Sequence, residues 1–129
     1  VLVTHYSRLQ MIVIDVPEPD HERELAFWGA ATGKPLTRVE NFPAYHFGQL
    51  HGQEVWLLLQ RLGEGPARLH VDFHTDDLEA EVARLEELGA QRVEKVEKWW
   101  LMRDPAGLTF CVVPEPPGQL TDSNAQRWD

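Results

Sequence analysis

The stretch over residues 68–114, RLHVDFHTDDLEAEVARLEELGAQRVEKVEKWWLMRDPAGLTFCVVP, constrains the fold more than any other part of the chain. It opens on an alternating strand, with Leu69, Val71 and Phe73 on one face and His70, Asp72 and His74 on the other. A helix follows: Leu78, Val82, Leu85 and Leu88 recur at helical spacing, Asp76 with Glu79 has the form of a capping box, and Gly89 supplies the stop. Three strand-like runs (QRVEKVEK, WWLMRD, LTFCVV) complete the segment. The last two are joined by Asp104-Pro105-Ala106-Gly107. There Pro105 presets φ, Asp104 can accept a backbone N–H and Gly107 takes the left-handed position, so turn chemistry explains all of it.

The first half repeats this order more weakly. Residues 9–16 (LQMIVIDV) read as a strand buried on both faces. Pro17 and Pro19 end it, and Asp20 stands as a helix N-cap. Leu25, Trp28 and Thr32 recur at helical spacing up to Gly33, with Trp28 in the core. LTRVE, AYHFGQL and EVWLLLQR are strand-like, with breaks at Asn41-Phe42-Pro43 and His51-Gly52-Gln53. Each half is therefore a strand, a helix and three strands, the scale of a duplicated unit of about 50–60 residues. The expected organisation is one domain over 1–114, with βαβββ units at 8–62 and 68–114 and a linker at 63–67. The Pro-rich tail at 115–129 is expected to be a loose arm.

A chain of 129 residues supports one real core. Its net charge of −9 argues against a nucleic-acid groove, which needs clustered Lys and Arg. Acidic residues cluster on the predicted helices (Glu22, Glu24, Glu79, Glu81, Glu86, Glu87) and read as solvated faces. A single cysteine excludes an internal disulfide and fits a reducing compartment. No apolar run approaches the roughly 20 residues of a membrane span, and VLVTHYSRLQ lacks the pattern of a signal peptide. The expected location is cytoplasmic, with no membrane or nucleic-acid partner.

The order of elements, the segment HVDFHTDDLEAEVARLEELGA, the hairpin DPAGLTF, and the looser ELAFW…Gly33 and VIDVPEP resemble the vicinal oxygen chelate superfamily. That superfamily includes glyoxalase I, bleomycin-resistance proteins and extradiol dioxygenases, and the resemblance is to its small glyoxalase-like members, over roughly residues 8–114. It implies an α+β fold in which two tandem βαβββ units form an open, incompletely closed mixed-sheet barrel. The helices lie outside and the site on the concave face. It also implies a homodimer, which would cover exposed strand edges.

Carried over by position, the superfamily's metal ligands fall at Gln10 (or Met11), Gln60, His70 and Cys111. Only His70 matches well. Gln60 and Cys111 depart from the expected carboxylates, and amides with a thiol offset little of an ion's charge. His70 and His74, about 13 Å apart along a strand, cannot share an ion. No cofactor is expected; a divalent metal, if bound, would be held by His70, Gln10 and Gln60. Strand parity puts Trp56 with Gln60 and sends one of Trp99 and Trp100 inward. The expected ligand-binding set is Gln10, Trp56, Gln60, His70, Asp72, Trp100 and Cys111, with no catalytic residue assigned. Cys111 itself reads most simply as a small buried hydrophobe. His21, His46 and His51 receive no role.

Three functions compete. The first is metal-free binding of a small, partly aromatic or apolar molecule in the cavity. The second is a metal-dependent lyase, isomerase or dioxygenase acting on a vicinal-oxygen substrate, with the ion polarising adjacent oxygens. The third is a scaffold or interaction protein.

Overall fold

The computed structural model describes residues 4–49 and 55–129, so the predicted break at His51-Gly52-Gln53 lies outside the described residues. The order is β1 (His5–Pro17), a 3-10 turn (Glu18–Asp20), α1 (His21–Thr32), β2 (Thr37–Val39), β3 (Phe42–Gln49), β4 (Trp56–Leu62), β5 (Arg68–Thr75), α2 (Leu78–Glu87), β6 (Gln91–Val96), β7 (Trp99–Arg103), β8 (Thr109–Pro114) and β9 (Gln126–Trp128). The α+β class and the repeated strand–helix–three-strand order are those read from the sequence. No described helix is long and apolar enough to cross a membrane. The chain divides into two compact units, Gln10–His70 and Val1–Leu9 with Val71–Asp129.

In the unit Gln10–His70 the strand order is β2-β3-β4-β1. β4 runs parallel to β1, from Met11 opposite Trp56 to Pro17 opposite Leu62. The β-branched run of β1 packs one face, Ile14 and Val16, with Leu57 and Leu59 against Leu25 and Trp28 of α1 and Leu36. α1 stops at Gly33, whose φ of 72° is left-handed and whose N–H bonds to the Ala30 carbonyl. Its start differs from expectation. Asp20 makes no side-chain cap bond, because the 3-10 turn already leads the backbone into the helix with the His21 N–H on the Glu18 carbonyl. Asp20 pairs with Arg23 instead.

In the other unit the order is β5-β8-β7-β6, with β5 and β8 parallel. Val82 and Leu85 of α2 pack on Met102, Phe110 and Val112, flanked by Val71, Phe73, Leu78 and Trp100. Leu69 and Leu88, read as part of the apolar faces of the strand and the helix, are each 67% exposed. Leu69 precedes the β5–β8 pairing, which starts at Val71, and Leu88 lies past the last turn of α2. The hairpin turn is as read: Asp104 Oδ1 accepts from the N–H groups of Ala106 (2.9 Å) and Leu108 (2.8 Å), and Gly107 has φ 95°.

Three further expectations change here. The N-cap of α2 is Asp77, which accepts from Ala80 N–H at 3.1 Å, while Asp76 accepts from Tyr6 N–H at 2.8 Å. The capping box is thereby lost, and Glu79 turns to Arg92 at 3.0 Å. Glu81, read as solvated, is fully buried, bonded to His5 Nε2 at 2.8 Å and to Arg84 through both oxygens at 2.7 and 2.8 Å. Burial pushes its carboxyl up, but bonds from Arg84, His5 and Ser7 outweigh that and hold it below the usual carboxylate range. The tail is no loose arm. Leu120 is buried, β9 pairs antiparallel with His5–Ser7, and Trp128 donates to Ser7 at 2.9 Å while Arg84 lies over its ring at 3.8 Å.

Candidate functional site

Strand alternation gives the sheet of unit Gln10–His70 two unlike faces. Ile14, Val16, Leu57 and Leu59 take the helix side, so Met11, Val13 and Asp15 with Trp56, Leu58 and Gln60 take the other. Gln10 shares the parity of Ile14 and Val16; Met11 is the β1 residue aligned with Asp15. On the far face Asp15 stands opposite Gln60, and Gln60 opposite Tyr45. Trp56 stacks on Phe47 with centroids 5.0 Å apart and planes 15° from parallel.

Asp15 is the residue the sequence reading missed. It is 3% exposed and accepts from His70 Nδ1 at 2.7 Å, with Arg68 Nε 3.6 Å from the same oxygen. A buried carboxylate needs such partners, since desolvating it alone is costly. A carboxylate only accepts, so Nδ1 of His70 carries the proton of this bond. The signal was present: a lone carboxylate inside the apolar run LQMIVIDV.

In the other unit Asp72 (7% exposed) is the register partner of Cys111, which is also buried. Two residues along β5 on the same face, His74 bonds through Nδ1 to Glu115 at 2.7 Å. Trp100, expected at the ligand face, is opposite Val112 and belongs to the helix side, where its Nε1 donates to Glu79 at 3.3 Å and Arg92 lies over its ring. Parity therefore gives Trp99, with Leu101 and Cys111, the face of Asp72.

Two tandem βαβββ units, each with its helix on one face of its strands, are the architecture of the vicinal oxygen chelate superfamily. A model of the glyoxalase-like domain matches residues 11–113, and the chain belongs to that family. No curated protein sequence matches it. Among solved structures it is similar to methylmalonyl-CoA epimerase from Mycobacterium tuberculosis, at 14% identity and a TM-score of 0.59 over 84% of this chain and 88% of that one. A hypothetical protein from Bacillus halodurans C-125 gives 14% identity and 0.63 over 89% and 99%. The 2,2',3-trihydroxybiphenyl 1,2-dioxygenase of Sphingomonas wittichii strain RW1 gives 18% and 0.53, over 85% of this chain and 41% of that one. At such identities the shared property is the fold.

Proposed function

We propose that this glyoxalase-like domain binds a small, partly aromatic molecule on the sheet face that carries Asp15, Gln60, His70 and Trp56. The observation that carries the reading is the bond of half-buried His70 to buried Asp15 on the same sheet face as the Phe47–Trp56 stack. Such a surface offers a flat apolar platform beside a few oriented polar groups, the usual make-up of a small-molecule site. The pair holds the imidazole ring in one orientation on that face.

A metal-dependent lyase, isomerase or dioxygenase is the second reading. It is favoured by the carboxylate on His70 Nδ1, since metal-bound histidines are oriented in this way. Neither neighbour in the same unit would hold an ion well: Asp15 is engaged by His70 and lies beside the Arg68 cation, and Gln60 is a neutral amide.

Chemical-shift mapping against a panel of small aromatic carbonyl and hydroxy compounds tests the proposal. Perturbations should centre on Trp56, Gln60 and His70, and Asp15→Asn should weaken binding at least about tenfold. Stoichiometric metal in protein purified without added metal, lost on His70→Ala, would replace the first reading by the second. Loss on Cys111→Ser or Asp72→Asn alone would move the ion to β5 and β8. The proposal also includes a homodimer, because β2 and β6 each have one strand neighbour among the described pairings. A monomer by sedimentation at micromolar concentration counts against that part.

A further inference from the structure

On the helix side of the same unit lies a cleft of about 590 Å³, lined by Glu22, Arg38, Pro43, Ala44, His46 and Arg61. Strand register builds it. Arg38 of β2 is opposite His46 of β3, His46 is opposite Leu59 of β4, and Arg61 follows Leu59 on the same face. His21, at the start of α1, is 0% exposed, with its ring centroid 5.2 Å from that of His46.

Several buried polar atoms here are left unsatisfied. Both ring nitrogens of His21, Nδ1 of His46 and Nε of Arg61 are buried without a hydrogen-bond partner. The nearest carboxylate oxygen to His21 Nδ1, on Glu22, is 3.9 Å away. Arg61 directs Nη1 to Glu18 and has Nη2 3.7 Å from Glu22, leaving Nε–H turned inward. Buried N–H groups in folded proteins find acceptors, so an unsatisfied cluster beside a cleft calls for an acceptor from outside the chain.

We infer that this cleft is a second binding site, one for the acid group, carboxylate or phosphate, of a small organic molecule. Arg61 Nε–H can only donate, each imidazole brings at least one N–H, and Arg38 adds a guanidinium. A donor-rich set with two guanidiniums matches an oxyanion and repels a metal cation. The volume suits a small organic acid or phosphate ester better than a bare ion.

A pH signature follows. Burial pushes both imidazoles down; Arg61 and, for His46, the neighbouring His21 and Arg38 add to this against the opposing pull of Glu22 and, for His21, Glu18. An anion beside the rings reverses that direction, so binding takes up a proton and tightens as pH falls.

The test titrates the full chain with inorganic phosphate and, separately, with acetate, reading the ring resonances of His21 and His46. Saturable shifts of both rings, with tighter binding at pH 6 than at pH 8, are expected; the tighter anion identifies the acid group. Arg38→Gln, which removes an exposed side chain, should weaken binding at least about tenfold, as should Arg61→Gln. Asp15→Asn, on the opposite face, should leave the shifts in place. Rings unmoved by either anion would overturn the inference, as would unchanged affinity in Arg38→Gln and Arg61→Gln. Saturable Zn²⁺ binding to both rings without any anion effect would overturn it in favour of a cation site.

Discussion

Each helix hides a polar side chain against its sheet, and the two are treated in opposite ways. Under α2, Glu81 is fully buried and every oxygen is bonded, by Arg84 on its own helix and by His5 of β1, with Trp128 closing over Arg84. Under α1, His21 is as deeply buried and neither ring nitrogen has a hydrogen-bond partner. A satisfied network of this kind locks elements together, and here it ties strand, helix and C-terminal segment. An unsatisfied group weakens its unit unless something else supplies the bond. The difference separates a polar group kept for architecture from one kept for a ligand.

Substitutions can break this comparison. The largest effect belongs to Glu81→Ala, which leaves Arg84 without its buried carboxylate and should cost about 3–5 kcal/mol by urea denaturation. A loss under about 1 kcal/mol would show the network to be ornamental. Next comes Leu85→Ala, which opens a cavity in the packed stripe of α2 and should cost about 2–5 kcal/mol, whereas Leu88→Ala, exposed beyond the last turn, should change stability by less than about 0.5 kcal/mol. Equal midpoints for the two would mean that the buried face of α2 is wrongly placed. The helix starts differ too: Asp77→Ala should cost about 1 kcal/mol through its cap bond to Ala80, and Asp20→Ala a few tenths at most.

His21→Leu should run the other way. Replacing an unpartnered buried imidazole by an apolar side chain should stabilise by about 1 kcal/mol in anion-free buffer. Destabilisation of that size or more would show that His21 has a structural partner.

The smallest effect is the pH slope. His21 and His46 have folded values below 6.5, so the unfolded chain takes up protons first and stability falls as pH drops below 6.5, until the folded values are passed. Glu81 acts lower on the scale. Its folded value is held below 4.5, so its contribution is full above 4.5 and is lost as pH falls through the folded value. Denaturation midpoints from pH 7.5 to 5.5 should decline in the parent and flatten in His21→Leu. An identical slope in both would remove the histidines from the account.

Periodicity was enough wherever one face of an element meets a core. Val71 and Phe73 beneath α2, the stop at Gly33 and the Asp104–Gly107 turn follow from local rules, because alternation, helical spacing and backbone sterics act within a few residues. Parity also said that one of Trp99 and Trp100 must face each way, but not which. The pairing of Trp100 with Val112, and hence its position over α2 beside Glu79, is set by the β7–β8 register. Composition misled at Glu81, where a carboxylate in a charged helix read as solvated; its partners His5 and Arg84 come from the far end of β1 and from one turn along the helix.

The order of elements, the duplication and the α+β class are written along the chain, since each depends on neighbours in sequence. Which polar groups are buried, and whether they are satisfied, is decided by contacts between distant segments. Asp15 meets His70 across 55 residues and His5 meets Glu81 across 76, and no local pattern encodes such meetings. His21 shows the same limit from the other side. Its position in the first helical turn gave no hint of burial; α1 lying on the sheet and the ring of His46 created it. Burial is a property of the packed chain, and the chemistry of a site depends on burial more than on residue type.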